Sequence, residues 1–199
     1  MFPAQVSAIL ERLEQAGFAA YAVGGCVRDT LLGRVPQDWD VATSARPEQT
    51  AALFAGRSIP TGLQHGTVTV RQEGLSVEVT TFRADGPYSD HRRPDAVYFS
   101  DSLAEDLCRR DLTVNAMAMD QRGVLTDLHG GREDLRRGLL RCVGEPDRRF
   151  DEDALRIMRT LRFASVLGFT VEERTAAALH RRAPLLGSIA AERLLSEMD

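Results

Sequence analysis

The chain has 199 residues, 43% hydrophobic and 27% charged, with a net charge of −4, proportions of one globular domain or two small ones packed together. No apolar run approaches the roughly 20 residues that span a bilayer, and the opening residues lack the basic and apolar regions of a signal peptide. Three cysteines (Cys26, Cys108, Cys142) without a CxxC pair and four scattered histidines exclude a disulfide framework and a zinc or histidine metal site, and fit a reducing cytoplasm.

In chain order, MFPAQVSAILERLEQAG predicts a helix with Pro3 near its start, Gly17 past its end, and Val6, Ile9, Leu10 and Leu13 as its apolar stripe. Short β-type runs then alternate with short helices. AAYAV is followed by the helical VRDTLLG, WDVAT by the helical PEQTAALF, and TVTVRQ and LSVEVTTF join at Glu73-Gly74 as an antiparallel hairpin. The polar stretch RADGPYSDHRRPDA comes next, a length that marks functional loops. From about Arg148 everything reads as helix: RRFDEDALRIMRTLRFASVLG, then VEERTAAALHRRA, then AAERLLSEMD. The last has no glycine or proline stop, as in a chain that continues beyond it. The predicted fold is α+β, with a head over residues 1–145 built on a small mixed or antiparallel sheet with flanking helices, and an all-helical neck over 146–199.

Several segments carry chemistry. At Gly24-Gly25-Cys26-Val27-Arg28-Asp29 a β run ends in a glycine pair and a helix begins at once, an arrangement that lets backbone N–H groups approach a phosphate, with Arg28 adding a cation. Asp38 and Asp40 flank Trp39 in a strand, so both carboxylates face one side and can share divalent cations. Pairs of Mg²⁺ about 3.5–4 Å apart clamp in-line phosphoryl displacement. Glu78 falls with Ser76 and Thr80 on the polar face opposite Leu75, Val77 and Val79, either as a third carboxylate or as a surface residue. Arg110 and Asp111, within RRDLTVNA, offer a phosphate contact and a ribose-hydroxyl acceptor, although a structural ion pair has the same letters. Asp153 and Arg156, three apart on a helix, share a face that Arg159 and Arg162 continue.

Taken in order, GGCVRDTLLG with DWDVATSA, then LQHGTVTV, VEVTTFRADGPYSDHRRPDAV, RRDLTVNAMAM, RFDEDALRIMRTLRFA and AERLLSE resemble the motifs of the bacterial class II tRNA nucleotidyltransferases, from Tyr21 to the end of the chain. The resemblance implies template-independent addition of CMP, AMP or both to the 3′ end of tRNA, from CTP and ATP, in the cytoplasm. It implies two Mg²⁺ ions held by Asp38 and Asp40, with Glu78 as a further catalytic carboxylate. Gly24, Gly25, Arg28, Arg110, Asp111 and Asn115 would surround the nucleotide. Asp153 and Arg156 would read its base with Arg159 and Arg162 nearby, and a loop containing Asp85, Arg92 and Arg93 would act as a lever. The body and tail domains of such enzymes are expected beyond residue 199. A bacterial poly(A) polymerase, whose head is closely similar, and a non-catalytic nucleotide- or RNA-binding module are the alternatives.

Base reading without a template follows from side-chain chemistry. Aspartate accepts hydrogen bonds and arginine donates them. Cytosine and adenine each present an amino donor beside a ring-nitrogen acceptor, which complements Asp153 with Arg156. Uracil and guanine present the reverse pattern and oppose both side chains.

Overall fold

A computed structural model describes residues 2–86, 88 and 96–197, so the expected lever residues Arg92 and Arg93 lie outside the described residues, as does the side chain of Asp85. Helix α1 (Ala4–Gln15) buries Val6, Ile9, Leu10 and Leu13 completely, the stripe expected from their spacing. It packs against a sheet that includes β1 (Ala20–Val23), β2 (Trp39–Thr43), β3 (Ser58–Gly62), β4 (Thr67–Gln72) and β5 (Leu75–Thr81). Helices α2 (Gly25–Leu31) and α3 (Pro47–Leu53) lie between these strands in the chain.

Strands β6 (Arg83–Asp85) and β7 (Val97–Phe99) form a small antiparallel ribbon, followed by α4 (Leu103–Cys108). After them come β8 (Met117–Met119), β9 (Leu125–Asp127) and α5 (Gly131–Arg137). The main sheet has seven strands in the order β3-β4-β5-β2-β1-β8-β9. Only β2 and β5 run parallel in it; the other neighbours are antiparallel. The β4–β5 hairpin turns as its sequence predicts. Glu73 at φ 46° and Gly74 at φ 83° both take the positive dihedrals of a two-residue turn whose twist matches the strands.

The neck departs from its expected form in two ways. RRFDEDALRIMRTLRFASVLG is two helices, α6 (Pro146–Glu152) and α7 (Leu155–Leu167), with Asp153 extended between them at φ −141° and ψ 105°. Asp153 Oδ1 accepts the Leu155 N–H at 3.1 Å, a local side-chain bond that competes with helix continuation. The region is also not wholly helical. Strand β10 (Leu139–Leu140), at the end of the head, pairs in parallel with β11 (Thr170–Val171), just before α8 (Glu173–Arg182); α9 (Ala191–Ser196) follows.

One apolar cluster runs through both parts, joining Leu10 of α1 and Val41 and Val77 of the sheet to Phe150, Ile157 and Leu179 of the later helices. Among the described residues no helix is long and apolar enough to cross a membrane.

Candidate active site

Strand β2 lies between β1 and β5, which brings three elements to one place. Trp39 points into the core, edge-on to Phe2 at 5.6 Å between ring centroids. That anchors the strand so that its flanking acids, Asp38 at the strand's entrance and Asp40 within it, are presented on the other face. Asp40 is the register partner of Glu78 on β5. Burial and the neighbouring Glu78 push the Asp40 carboxyl up to about 6; Asp38 adds to the rise and Arg110 opposes it.

Where β1 ends, Gly24 (φ 77°, ψ −134°) turns the chain into α2. A side chain there would stand 3.0 Å from Arg110 Nη1 and 3.9 Å from Asp40 Oδ2, so glycine keeps the space between cation and acid open. A cleft of about 630 Å³ results, lined by Gly24, Gly25, Arg28, Asp38, Asp40, Arg110, Asp111, Asn115 and Arg162, with Phe163, Val166 and Val35 at its apolar side.

Most of the arginines are already engaged. Arg28 grips Asp29 with Nε at 2.9 Å and Nη2 at 3.0 Å, gives Nη1 to Asn115 Oδ1 at 2.8 Å, and lies 5.1 Å from the Phe163 ring. It therefore braces the cleft wall, with little left over for a phosphate. Arg110 gives Nη2 to Asp106 Oδ2 at 3.0 Å, and its buried Nε–H has no acceptor. Burial alone would raise the Asp106 carboxyl, but Arg109 and Arg110 outweigh it and hold the group below the usual carboxylate range. Asp111 accepts the Leu112 N–H at 2.9 Å and faces Arg159 at 3.7 Å.

Of the four expected neck residues, only Arg162 lines this cleft. Asp153 and Arg156 do not share a helix face, because the break at Asp153 separates them. The ion-pair partner of Arg156 is Glu152, at 2.8 Å, and its Nη2 donates to the Arg109 carbonyl at 3.1 Å. Burial raises the Asp153 carboxyl. Arg159 and Arg162 both turn to Glu197, at 2.9 Å and 3.0 Å.

The motifs did not single out Asp29, Asp106, Phe163 or Glu197. Asp29 adjoins Arg28 in the glycine motif, and Asp106 precedes Arg109 and Arg110 by three and four residues, the spacing of helical ion pairs. Both signals were present. Glu197 lies 38 residues from Arg159, beyond reach of local pattern.

Metal-ligand fit is partial. Among the described residues no group of three or more acidic, histidine or cysteine side chains is gathered closely enough to hold an ion alone. Glu78 is in register with Asp40 yet does not line the cleft. Asp38 and Asp40 remain a pair of hard oxygen donors, and Mg²⁺ commonly binds one or two carboxylates with water and phosphate oxygens completing its shell. The crowding that raises Asp40 is what a divalent cation relieves.

A family profile described as the poly(A) polymerase head domain matches residues 20–141, and one described as a probable RNA and SrmB-binding site of polymerase A matches 168–199. The CCA-adding enzyme of Geobacillus kaustophilus is 52% identical over 195 residues, covering 98% of this chain and 48% of that protein. The chain thus spans about half the length of the curated relatives it matches. The crystal structure of the Bacillus stearothermophilus CCA-adding enzyme in complex with CTP superposes with a TM-score of 0.92 at 48% identity, over 100% of this chain and 48% of that one. A tRNA nucleotidyltransferase complexed with a primer tRNA and an incoming ATP analog gives a TM-score of 0.76 at 32% identity, over 96% of this chain and 54% of that one.

Proposed function

The chain belongs to the family built on the poly(A) polymerase head domain, as a class II tRNA nucleotidyltransferase sequence, and from that premise we propose that it adds CMP and AMP to the 3′ end of tRNA without a template. The observation that carries this reading is the single cleft in which Asp38 and Asp40 face a glycine-floored seat backed by Arg110. In the reaction the terminal 3′-hydroxyl oxygen bonds to the α-phosphorus of CTP or ATP, the α–β phosphate bond breaks, and pyrophosphate leaves.

Asp38 and Asp40 would hold Mg²⁺, which supplies charge stabilisation and an activated hydroxyl in such displacements. Gly24 and Gly25 would let the triphosphate approach the backbone, where Arg110 Nη1, which otherwise donates only a long bond of 3.5 Å to the Asn115 carbonyl, would meet it. Asp111, which lines the same cleft, would accept from a ribose hydroxyl. Asp153 accepts from the amino group of cytosine or adenine and Arg156 donates to the ring nitrogen beside it. Because Arg156 is held by Glu152 and the Arg109 carbonyl, base reading exchanges the Glu152 contact for the base. Three free thiols, two of them buried, suit a reducing cytoplasm.

The test supplies the chain with Mg²⁺, labelled CTP and ATP, and three acceptors: tRNA ending before CCA, tRNA ending in CC, and oligo(A). CMP on the first and AMP on the second are expected. Extension of oligo(A) alone would transfer the protein to the poly(A) polymerase reading, and no extension of any acceptor would end the enzymatic one.

A further inference from the structure

We propose that Asp106 is a positioning residue that joins the two ends of the site, setting Arg110 toward the phosphates and, through Arg109, fixing the anchor of Arg156. The inference rests on the function proposed above. Asp106 is 1% exposed, and both of its oxygens are used. Oδ1 takes Arg109 through Nε at 3.0 Å and Nη2 at 2.9 Å, while Oδ2 takes Arg110 Nη2 at 3.0 Å.

Two successive arginines forked on one carboxylate lose most of their freedom. The two side chains are 18% and 19% exposed. Arg110 is thereby aimed at Gly24, its Nη1 only 3.0 Å from where a side chain there would begin. Arg109 is pinned on the other side, and its carbonyl oxygen, fixed with it, accepts Arg156 Nη2 at 3.1 Å. The carboxylate sits on α4, whose first turn is capped by Ser102 accepting the Glu105 N–H, so its own backbone is fixed from behind. Removing one member of a buried charged triad leaves the others uncompensated and free to turn elsewhere. One carboxylate therefore governs both nucleotide affinity and base choice.

Binding separates the two effects. Tripolyphosphate with Mg²⁺ probes the phosphate end, and the ratio of CTP to UTP affinity probes the base end, both by calorimetry on the full chain. Asp106→Asn is expected to weaken tripolyphosphate by about tenfold, the loss of a charge-assisted contact, and to narrow the CTP preference severalfold. Arg109→Gln, which leaves the Asp106–Arg110 pair in place and guards against a failure of the first variant to fold, is expected to narrow the preference while tripolyphosphate binds as before. Arg110→Gln should do the opposite. A folded Asp106→Asn chain, or Arg109→Gln where that variant does not fold, with the parent's CTP-to-UTP ratio would overturn the inference. A parent chain that binds tripolyphosphate but shows no CTP preference would overturn the base-reading part of the proposed function first, and this inference with it.

Discussion

The two ends of the site are built on opposite electrostatic principles. At the sheet end, Asp38, Asp40 and Glu78 form no ion pair with any described residue, and burial and the acidic neighbours push the Asp40 carboxyl up to about 6. At the helical end, Arg156 is matched by Glu152, while Arg159 and Arg162 share Glu197. Strands fixed by their register tolerate repulsion, because the backbone cannot move to relieve it. Helix termini and side chains can rearrange, and there the charges have found one another. Uncompensated charge on a rigid frame marks a seat for an external ion, whereas compensated charge on adjustable elements marks contacts that are exchanged during use.

The contrast is most exposed to attack at the acids. Asp38→Ala or Asp40→Ala should lower nucleotide addition by about a thousandfold or more, as loss of a metal-holding carboxylate does, with the chain still folded; near-parental turnover in a steady-state extension assay would break the assignment. Asp40→Asn carries a second signature. A carboxyl raised to about 6 in the folded protein binds its proton more tightly there than in the unfolded chain, so its contribution to stability is lost as pH rises through that value. Without metal, the Asn variant should therefore be the more stable of the two above pH 6, by on the order of 2 kcal/mol, and equal to the parent below about pH 4. Thermal melts across pH check this.

Arg156→Ala attacks the compensated end. Glu152 keeps Arg148 and Arg149, each at 3.1 Å, but the Arg149 and Arg109 carbonyls lose the guanidinium that donates to them, so a stability loss of about 1–3 kcal/mol is expected, together with comparable losses of CMP and AMP addition. A variant that melts like the parent would show Arg156 to be less integral than its burial implies.

Gly24→Ala sharpens the comparison at the floor of the cleft. The dihedrals of Gly24, outside the left-handed helical region, cost alanine about 1–3 kcal/mol, and the methyl crowds Arg110, so the Michaelis constant for CTP and ATP should rise by about tenfold, the scale of one charge-assisted contact. Kinetics with both nucleotides measure it. The smallest effect belongs to Glu78→Ala. Because Glu78 raises Asp40, its removal should shift the acid limb of the activity profile to lower pH, with only a severalfold change in rate at neutral pH. An unmoved limb would mean that the two acids do not sense each other in the working enzyme.

These outcomes bear on how much a chain of letters discloses. The strands TVTVRQ and WDVAT and the turn at Glu73-Gly74 were legible because alternation and turn chemistry are local. So was the stripe of α1. The bend at Asp153 was not, since EDALRIMRTLR contains no glycine or proline and its residues favour helix; what interrupts it is one side-chain hydrogen bond. The pair Asp38 and Asp40 could be read from strand alternation, but the closeness of Glu78 depends on β2 and β5 being neighbours in the sheet, which no local pattern specifies. Arg28 was visible as a cation near glycines, yet its bond to Asn115 joins residues 87 positions apart.

The short ribbon of β10 and β11 has a consequence for cooperativity. It pairs Leu139 with Thr170 and Leu140 with Val171, stitching the last strand of the head to a segment that begins only after α6 and α7 have been completed. Opening the helices from the sheet therefore requires breaking backbone bonds around a fully buried Leu140, as well as sliding side chains apart. Amides in this ribbon should exchange with solvent only in the global opening event, and a protease would find no early cut between the two parts. The helices α6 and α7, with Arg156, Arg159 and Arg162, would then melt with the sheet that carries the acids, in one transition.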